Sequence, residues 1–414
     1  MKKHYWWVGG VAVLQILILG LLYFNWPPMV LTLLVPESEK PAWQSLITLF
    51  EAQHPKTKIQ LITAKNLGGF LTKQLKEGTC LPKGSPDIVY LDVIWVPEFA
   101  VRGCLQDLSK RFVPKMKSQF SPQAVRDGEY LGKSYRIPFR SDMGMLYYRS
   151  DLLNQAGYQH PPETFTELIE ISKTLKQKQL VEWGFLWQGD QYEGKIATFV
   201  EVLRGHGGYW IDEKTRQVGL DQPQAIQAVQ FLRTTLKSKV SPANVLTFSE
   251  DESLAQFRAG KSIFLRHWPR ARSFLADDNN GAVKAVPMQL HTPAHQGGPC
   301  NGSWGLGIAK KTQHADRAWK AIQFFTSEQA QRQFTQETQF VPSHKAVLKQ
   351  DSPEIQQAIT KAIFRPRIPE YDQASEILQA ALSQALNPDT SDQEAQSIMK
   401  TAAQETRQLL NPPS

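Results

Sequence analysis

Cysteine is scarce: Cys80, Cys104 and Cys300 are the only three in 414 residues. Their spacing fits no zinc motif. Histidine supplies no metal helix either, because Pro293 stands between His291 and His295 and interrupts the helix such a pair requires. The chain lacks a Gly-x-Ser-x-Gly elbow, a glycine-rich phosphate loop and a metalloprotease helix motif, which removes the common hydrolase and nucleotide-enzyme signatures. Lysine and arginine bring the formal net charge to +8. They are scattered and nowhere interleaved with aromatics, so they read as a solvated basic surface and argue against nucleic acid. No short repeat or low-complexity block occurs, and only one long hydrophobic run.

That run extends from Trp6 to about Trp26, after Lys2 and Lys3. Positive charge before an apolar stretch favours a cytoplasmic N-terminus, with everything downstream exported. A run of roughly 20 residues can span a bilayer. The segment Leu19-Gly20-Leu21-Leu22-Tyr23 shows no small-x-small cleavage site, and no cysteine there could take a lipid. Residues 1–28 are therefore expected to be an uncleaved anchor, with a removed signal peptide as the alternative. Outside the cytoplasm Cys80 and Cys104 can pair. A strand near Asp87–Leu91 and a returning helix from Val93 to Arg102 would bring both to one end.

The length exceeds what one core usually organises, so two domains are expected. Hydrophobic residues make up 41% and charged residues 21%, as in ordinary globular proteins. The eleven tryptophans are a surplus, which suggests a ligand site built from aromatic faces. Val30–Val35 reads as a buried strand. Trp43, Leu46, Ile47 and Phe50 follow at helical spacing, closed by Pro55. Lys58–Thr63 and Pro86–Leu91 read as further strands, giving an α/β domain with a largely parallel sheet. Tyr135–Tyr148 is extended. Helices are expected at Thr164–Gln179, Pro223–Lys237, Ser253–Arg258, Ala315–Phe325, Ala374–Leu386 and Asp392–Leu410, with strands at Ser262–Leu265, Val283–Pro287 and Gly302–Ile308. Strands resume after a helix-rich middle, which points to two lobes that exchange the chain more than once.

Several stretches then become recognisable. Pro86 to Trp95 is a strand ending in Asp92 and followed by Trp95. Gly144 to Leu153 reads as an LYYRxDLL block, followed by Ala156-Gly157-Tyr158 and Pro161 to Phe165. Trp183 to Gly194 contains Gln191-Tyr192-Glu193-Gly194. His267-Trp268-Pro269, Gly302-Ser303-Trp304-Gly305 and Arg365 to Tyr371 complete the set. In this order the chain resembles the extracellular solute-binding proteins of ABC sugar importers, most closely their trehalose/maltose-binding branch, from about Val30 to Leu410. The resemblance implies an α/β, two-lobed periplasmic-binding-protein fold (type II, like maltose-binding protein) with a multi-crossing hinge. Crossings would fall near Pro138–Ser141, Trp304–Ile308 and Val341–Ser343. Lobe 1 would be 29–138 plus 306–342, and lobe 2 would be 142–303 plus 344–410. It also implies a monomer with no cofactor, no metal and no catalysis, whose partners are a small carbohydrate and the membrane subunits of an ABC permease.

A sugar presents hydroxyls that both donate and accept, and weakly apolar C–H faces. Carboxylates and arginines make charge-assisted bonds to the former, and aromatic rings cover the latter. Glu39, just after the first strand, matches the family's sugar-binding glutamate, although a helix N-terminus also suits it. Asp92 lies at a strand's carboxyl end, where α/β sheets place ligand groups, and can equally cap the next helix. Trp268 and Trp304 stand beside Pro269 and Gly302 and match the family's stacking tryptophans, with Ser303 in the same motif. Trp95, inside a helical pattern, is expected to pack. Arg365 matches an arginine that bonds hydroxyls, and Glu193 and Asp142 are further candidates. Two positions depart from the branch: Arg140 stands where it tends to have tyrosine, and Arg270 at a second aromatic position. Arginine suits hydroxyls but also carboxylate or phosphate. The ligand thus stays open among trehalose, maltose, sucrose, glucosylglycerol and an anionic glycoside such as glucosylglycerate. A secreted glycosidase is the enzyme alternative, since carboxylates and tryptophans also build hydrolytic clefts. A sensor that contacts a receptor kinase is a third class.

Overall fold

The computed structural model describes residues 28–81, 86–275 and 281–412. The hydrophobic run expected to be an anchor therefore lies outside the described residues. Among the described residues eleven strands follow in chain order: β1 Met29–Pro36, β2 Thr57–Ala64, β3 Ile88–Asp92, β4 Glu129–Tyr130, β5 Lys133–Ser134, β6 Ile137–Arg140, β7 Met145–Arg149, β8 Trp183–Leu186, β9 Ser262–His267, β10 Val283–Pro287 and β11 Trp304–Ile308. Five of them form one sheet in the order β2-β1-β3-β11-β6, and four form a second in the order β10-β7-β9-β8. Each sheet anchors a lobe, so the chain is a two-lobed α/β protein.

In the first sheet β1 pairs in parallel with β2 and β3, and β11 runs antiparallel between β3 and β6. Alternation decides the faces of β1. Leu31, Leu33 and Val35 join one apolar cluster and Leu34 the other, as a strand buried on both sides requires. The helix Lys40–Gln53 buries Trp43, Leu46, Ile47 and Phe50 in the first cluster. It stops two residues before Pro55, whose ring would clash within a continued helix. In the second lobe, helices Phe165–Gln177, Glu250–Arg258 and Asp392–Leu410 each begin with a reciprocal capping box, Thr164/Glu167, Ser249/Glu252 and Ser391/Glu394.

The extended segment Tyr135–Tyr148 is two strands in different sheets, because the chain changes lobe between β6 and β7. It returns between β10 and β11, and passes Val341–Ser343 later. These passages lie side by side. Ser141 N donates to the Val341 carbonyl (2.8 Å), Ser343 N to Phe139 (3.2 Å), Gly302 N to Asp142 (2.9 Å) and Gly144 N to Cys300 (3.0 Å). The helix Leu67–Lys76, beside the first sheet, meets the helix Tyr371–Ala385 beside the second. Thr72 Oγ1 donates to Asp372 (2.7 Å), and Lys76 Nζ to Glu376 (2.5 Å). A disulfide joins Cys80 to Cys104, with Cα atoms 5.2 Å apart, and the Cys300 thiol is free and buried.

Candidate ligand site between the lobes

The register of the first sheet brings three candidates abreast. Trp304 is the partner of Asp92 on one side and of Arg140 on the other, so all three stand at the strand ends facing the second lobe. Beneath them Arg136 is fully buried. Its Nη1 donates to the carbonyls of Ser303 (2.8 Å) and Leu91 (3.4 Å), clamping the ends of β3 and β11 together. Burial pushes that guanidinium down to about 10.

Two arginine-centred groups occupy this edge. In the first, Arg140 Nη1 donates to Glu39 (2.9 Å), and its Nε lies 3.2 Å from Asp142. The guanidinium covers Phe340 at 3.8 Å and Trp304 at 4.9 Å from the ring centres. Burial opposes its charge, but Glu39 and Asp142 outweigh that and hold it well above the usual arginine range. Glu39 ends a short turn after β1 and also accepts from Trp43 Nε1 (3.4 Å). Burial pushes the Asp142 carboxyl up to about 6, against the pull of Arg140 and of the Val341 N–H (3.1 Å).

In the second group Arg365 Nη2 donates to both oxygens of Asp92 (3.0 and 3.1 Å), and Nη1 to Glu193 (2.8 Å). Asp92 also caps the turn Val93–Trp95 through the Ile94 N–H (3.4 Å), so the capping and site roles coexist. Glu193 opens the helix Glu193–Gly205 and accepts from Tyr371 Oη (2.6 Å), Ser375 and Gln379. Tyr371, Ser375 and Gln379 fall four residues apart on one helix face.

Trp268 belongs to the second lobe. The Arg266 guanidinium lies 4.1 Å from its ring, its Nε1 donates to Glu250 (3.0 Å), and its benzo edge abuts Gly302, where a Cβ would approach within 2.8 Å. Arg266 is itself paired with Glu201 through two bonds of 2.8 and 2.9 Å, both side chains fully buried. Ser303 faces inward and donates to Asn301, as a structural hydroxyl would. Arg270 stands apart, its guanidinium 5.3 Å from the Phe274 ring and 5.9 Å from Phe340, with no ion pair among the described residues. Trp95 is buried against Phe99.

Sequence reasoning missed Tyr90, Phe340, Glu250 and Tyr371. Tyr90 and Phe340 sit in apolar stretches indistinguishable from core. Glu250 and Tyr371 carry no local pattern beyond a helix start. The arrangement as a whole combines the carboxylates of Glu39, Asp92, Asp142 and Glu193, the guanidiniums of Arg140 and Arg365 and the indoles of Trp268 and Trp304, contributed by both lobes around one seam. Such a set can grip hydroxyls and cover flat C–H faces.

The model of the bacterial extracellular solute-binding proteins matches residues 36–332. The maltotriose-binding protein of Pyrococcus abyssi is 24% identical over 372 residues, covering 86% of this chain and 77% of that protein. The mannitol-binding protein of Pseudomonas aeruginosa is 25% identical over 293 residues, covering 69% and 66%. The structure of maltose-bound T. maritima MalE3 superposes with a TM-score of 0.83 at 30% identity, covering 92% of this chain and 100% of that one. The match over most of the described residues, on a fold with two sheets and a triple crossing, makes this chain a member of the bacterial extracellular solute-binding proteins.

Proposed function

We propose that the protein is the sugar receptor of an ABC importer, binding a di- or small oligosaccharide or glycoside between two closing lobes and delivering it to the permease. The observation that carries this reading is the Asp92–Arg365–Glu193 bridge. It joins the carboxyl end of β3 to a helix of the other lobe, with Trp304 paired to Asp92 in the sheet and Trp268 against Gly302. A ligand that bonds these groups contacts both lobes and so favours the closed form over the open one. Lobe 1 is taken as 29–138 plus 306–342 and lobe 2 as 142–303 plus 344–410, moving about the three crossings. The site residues are Glu39, Asp92, Arg140, Asp142, Glu193, Trp268, Arg270, Trp304 and Arg365, with Ser303 in support.

Neutral sugars such as maltose, trehalose, sucrose or glucosylglycerol suit the site best, because Arg140 and Arg365 are each already met by two carboxylates. Arg270, without an ion pair among the described residues, favours a second reading in which the ligand's outer end is anionic, as in glucosylglycerate. The receptor works as a monomer, held at the outer face of the inner membrane by residues 1–28, and it binds without hydrolysing. A thermal-shift panel of these five compounds tests the proposal, since bound ligand raises the melting temperature by mass action. At least one should stabilise the protein. No shift with any of them, or release of monosaccharide on incubation, would refute the reading.

A further inference from the structure

We infer that Tyr90 is a ligand-contacting residue, whose phenol donates to a neutral hydroxyl of the bound sugar at the deep end of the site. This rests on the receptor reading above and narrows it. Tyr90 lies on β3 two residues before Asp92, so the two point to the same side of the strand. Its ring is held by Trp43 (5.1 Å), Phe139 (5.6 Å) and Trp304 (5.0 Å), an aromatic cage that phenylalanine would fill equally well. The hydroxyl is fully buried and has no hydrogen-bond partner among the described residues. Leaving a buried hydroxyl unpaired is costly, and such atoms call for a bound partner.

The charged groups that act on that phenol are Arg140, Glu39, Asp142 and Arg136. Arg140 lies 5.6 Å from the Tyr90 ring centre. Burial raises the phenol well above its ordinary value, so it remains a donor at any physiological pH. Nε of Arg365 is likewise buried without a hydrogen bond among the described residues, which places two unused donors on the residues of one site. A neutral hydroxyl suits the deep end on both counts. It accepts from Tyr90 and donates to Glu39 or Asp142. A carboxylate or phosphate would accept from Tyr90 but meet two carboxylates that share a single arginine. The deep end is therefore selective for an uncharged sugar ring, and any anionic group belongs at the Arg270 end.

The test compares wild type with Tyr90→Phe, which removes one oxygen and keeps the cage. The probe is whichever of maltose, trehalose, sucrose and glucosylglycerol gives the largest thermal shift with wild type. Calorimetric affinity should fall about tenfold in the variant, while its ligand-free melting temperature stays level or rises because an unpaired buried hydroxyl is gone. A role in core structure alone would lower the ligand-free melting temperature and leave affinity unchanged, and that outcome overturns the assignment. Equal affinity and equal stability overturn it too. If wild type binds none of the four, the receptor reading for neutral sugars falls first and this assignment falls with it.

Discussion

A single nitrogen of Arg365, Nη2, donates across the seam to both carboxylate oxygens of Asp92, at 3.0 and 3.1 Å, while Nη1 reaches Glu193 on its own side. The pair is nearly solvent-free, so each partner depends on the other for its charge. Asp92 is thereby held with lone pairs still available, and a sugar hydroxyl that reaches it meets an oriented acceptor.

Asp92→Asn should weaken sugar binding by about tenfold or more, because an amide is a poorer acceptor and no longer balances Arg365. Glu193 still meets Arg365 in the variant, so the fold should survive. Calorimetry together with a ligand-free melt separates the two effects. Unchanged affinity would remove Asp92 from the site.

Arg266 and Glu201 form a fully buried pair beneath Trp268. Arg266→Ala should destabilise the protein by about 3–5 kcal/mol, since it strands the Glu201 carboxylate. Replacing both residues with methionine should cost far less. Denaturant unfolding of Arg266→Ala and of the double methionine variant checks this, and equal losses would contradict it. Gly144 belongs to the same unit, because a Cβ there would lie 1.8 Å from Glu201 Oε1.

Burial pushes the Glu98 carboxyl up to about 7, against its ion pair with Arg102 (2.9 Å). The folded value lies above the unfolded one, so the folded state binds the proton more tightly. The resulting stability is complete below about pH 4.3 and is lost as pH rises through 7. Melting curves of wild type and Glu98→Gln should nearly coincide at pH 5 and separate by pH 8, with the variant more stable. A gap that does not change with pH would contradict the assignment.

Much of the fold was legible because its signals are local. The helices Pro223–Lys237 and Asp392–Leu410 fall where their apolar spacing places them, as does the strand Val283–Pro287. The division of Tyr135–Tyr148 between two sheets was hidden, since β6 and β7 are equally apolar and only long-range pairing separates them. The helices Leu67–Lys76 and Glu328–Thr338 were also missed. The first contains two glycines, and the second is mostly polar with few buried positions. At the candidate site, Asp92, Trp268 and Arg365 stand in short motifs that sequence alone singles out. Phe340 could not, because it meets Arg140 from 200 positions along the chain, and no periodicity encodes such a contact. Tyr90 was hidden for a different reason: its ring reads as core, and only the lack of a partner for its hydroxyl distinguishes it.

The most direct test of a sugar receptor closing on its ligand is calorimetric titration of the full chain, wild type and Trp268→Ala, with the sugar giving the largest thermal shift. Wild type should give saturable one-to-one binding. Trp268→Ala should bind about tenfold or more weakly, because the partly exposed indole offers its free face to the ligand, and its ligand-free melting temperature is measured beside it to separate the loss of packing against the core. No binding heat from wild type with any sugar of the panel, or equal affinity in the two proteins, would contradict it.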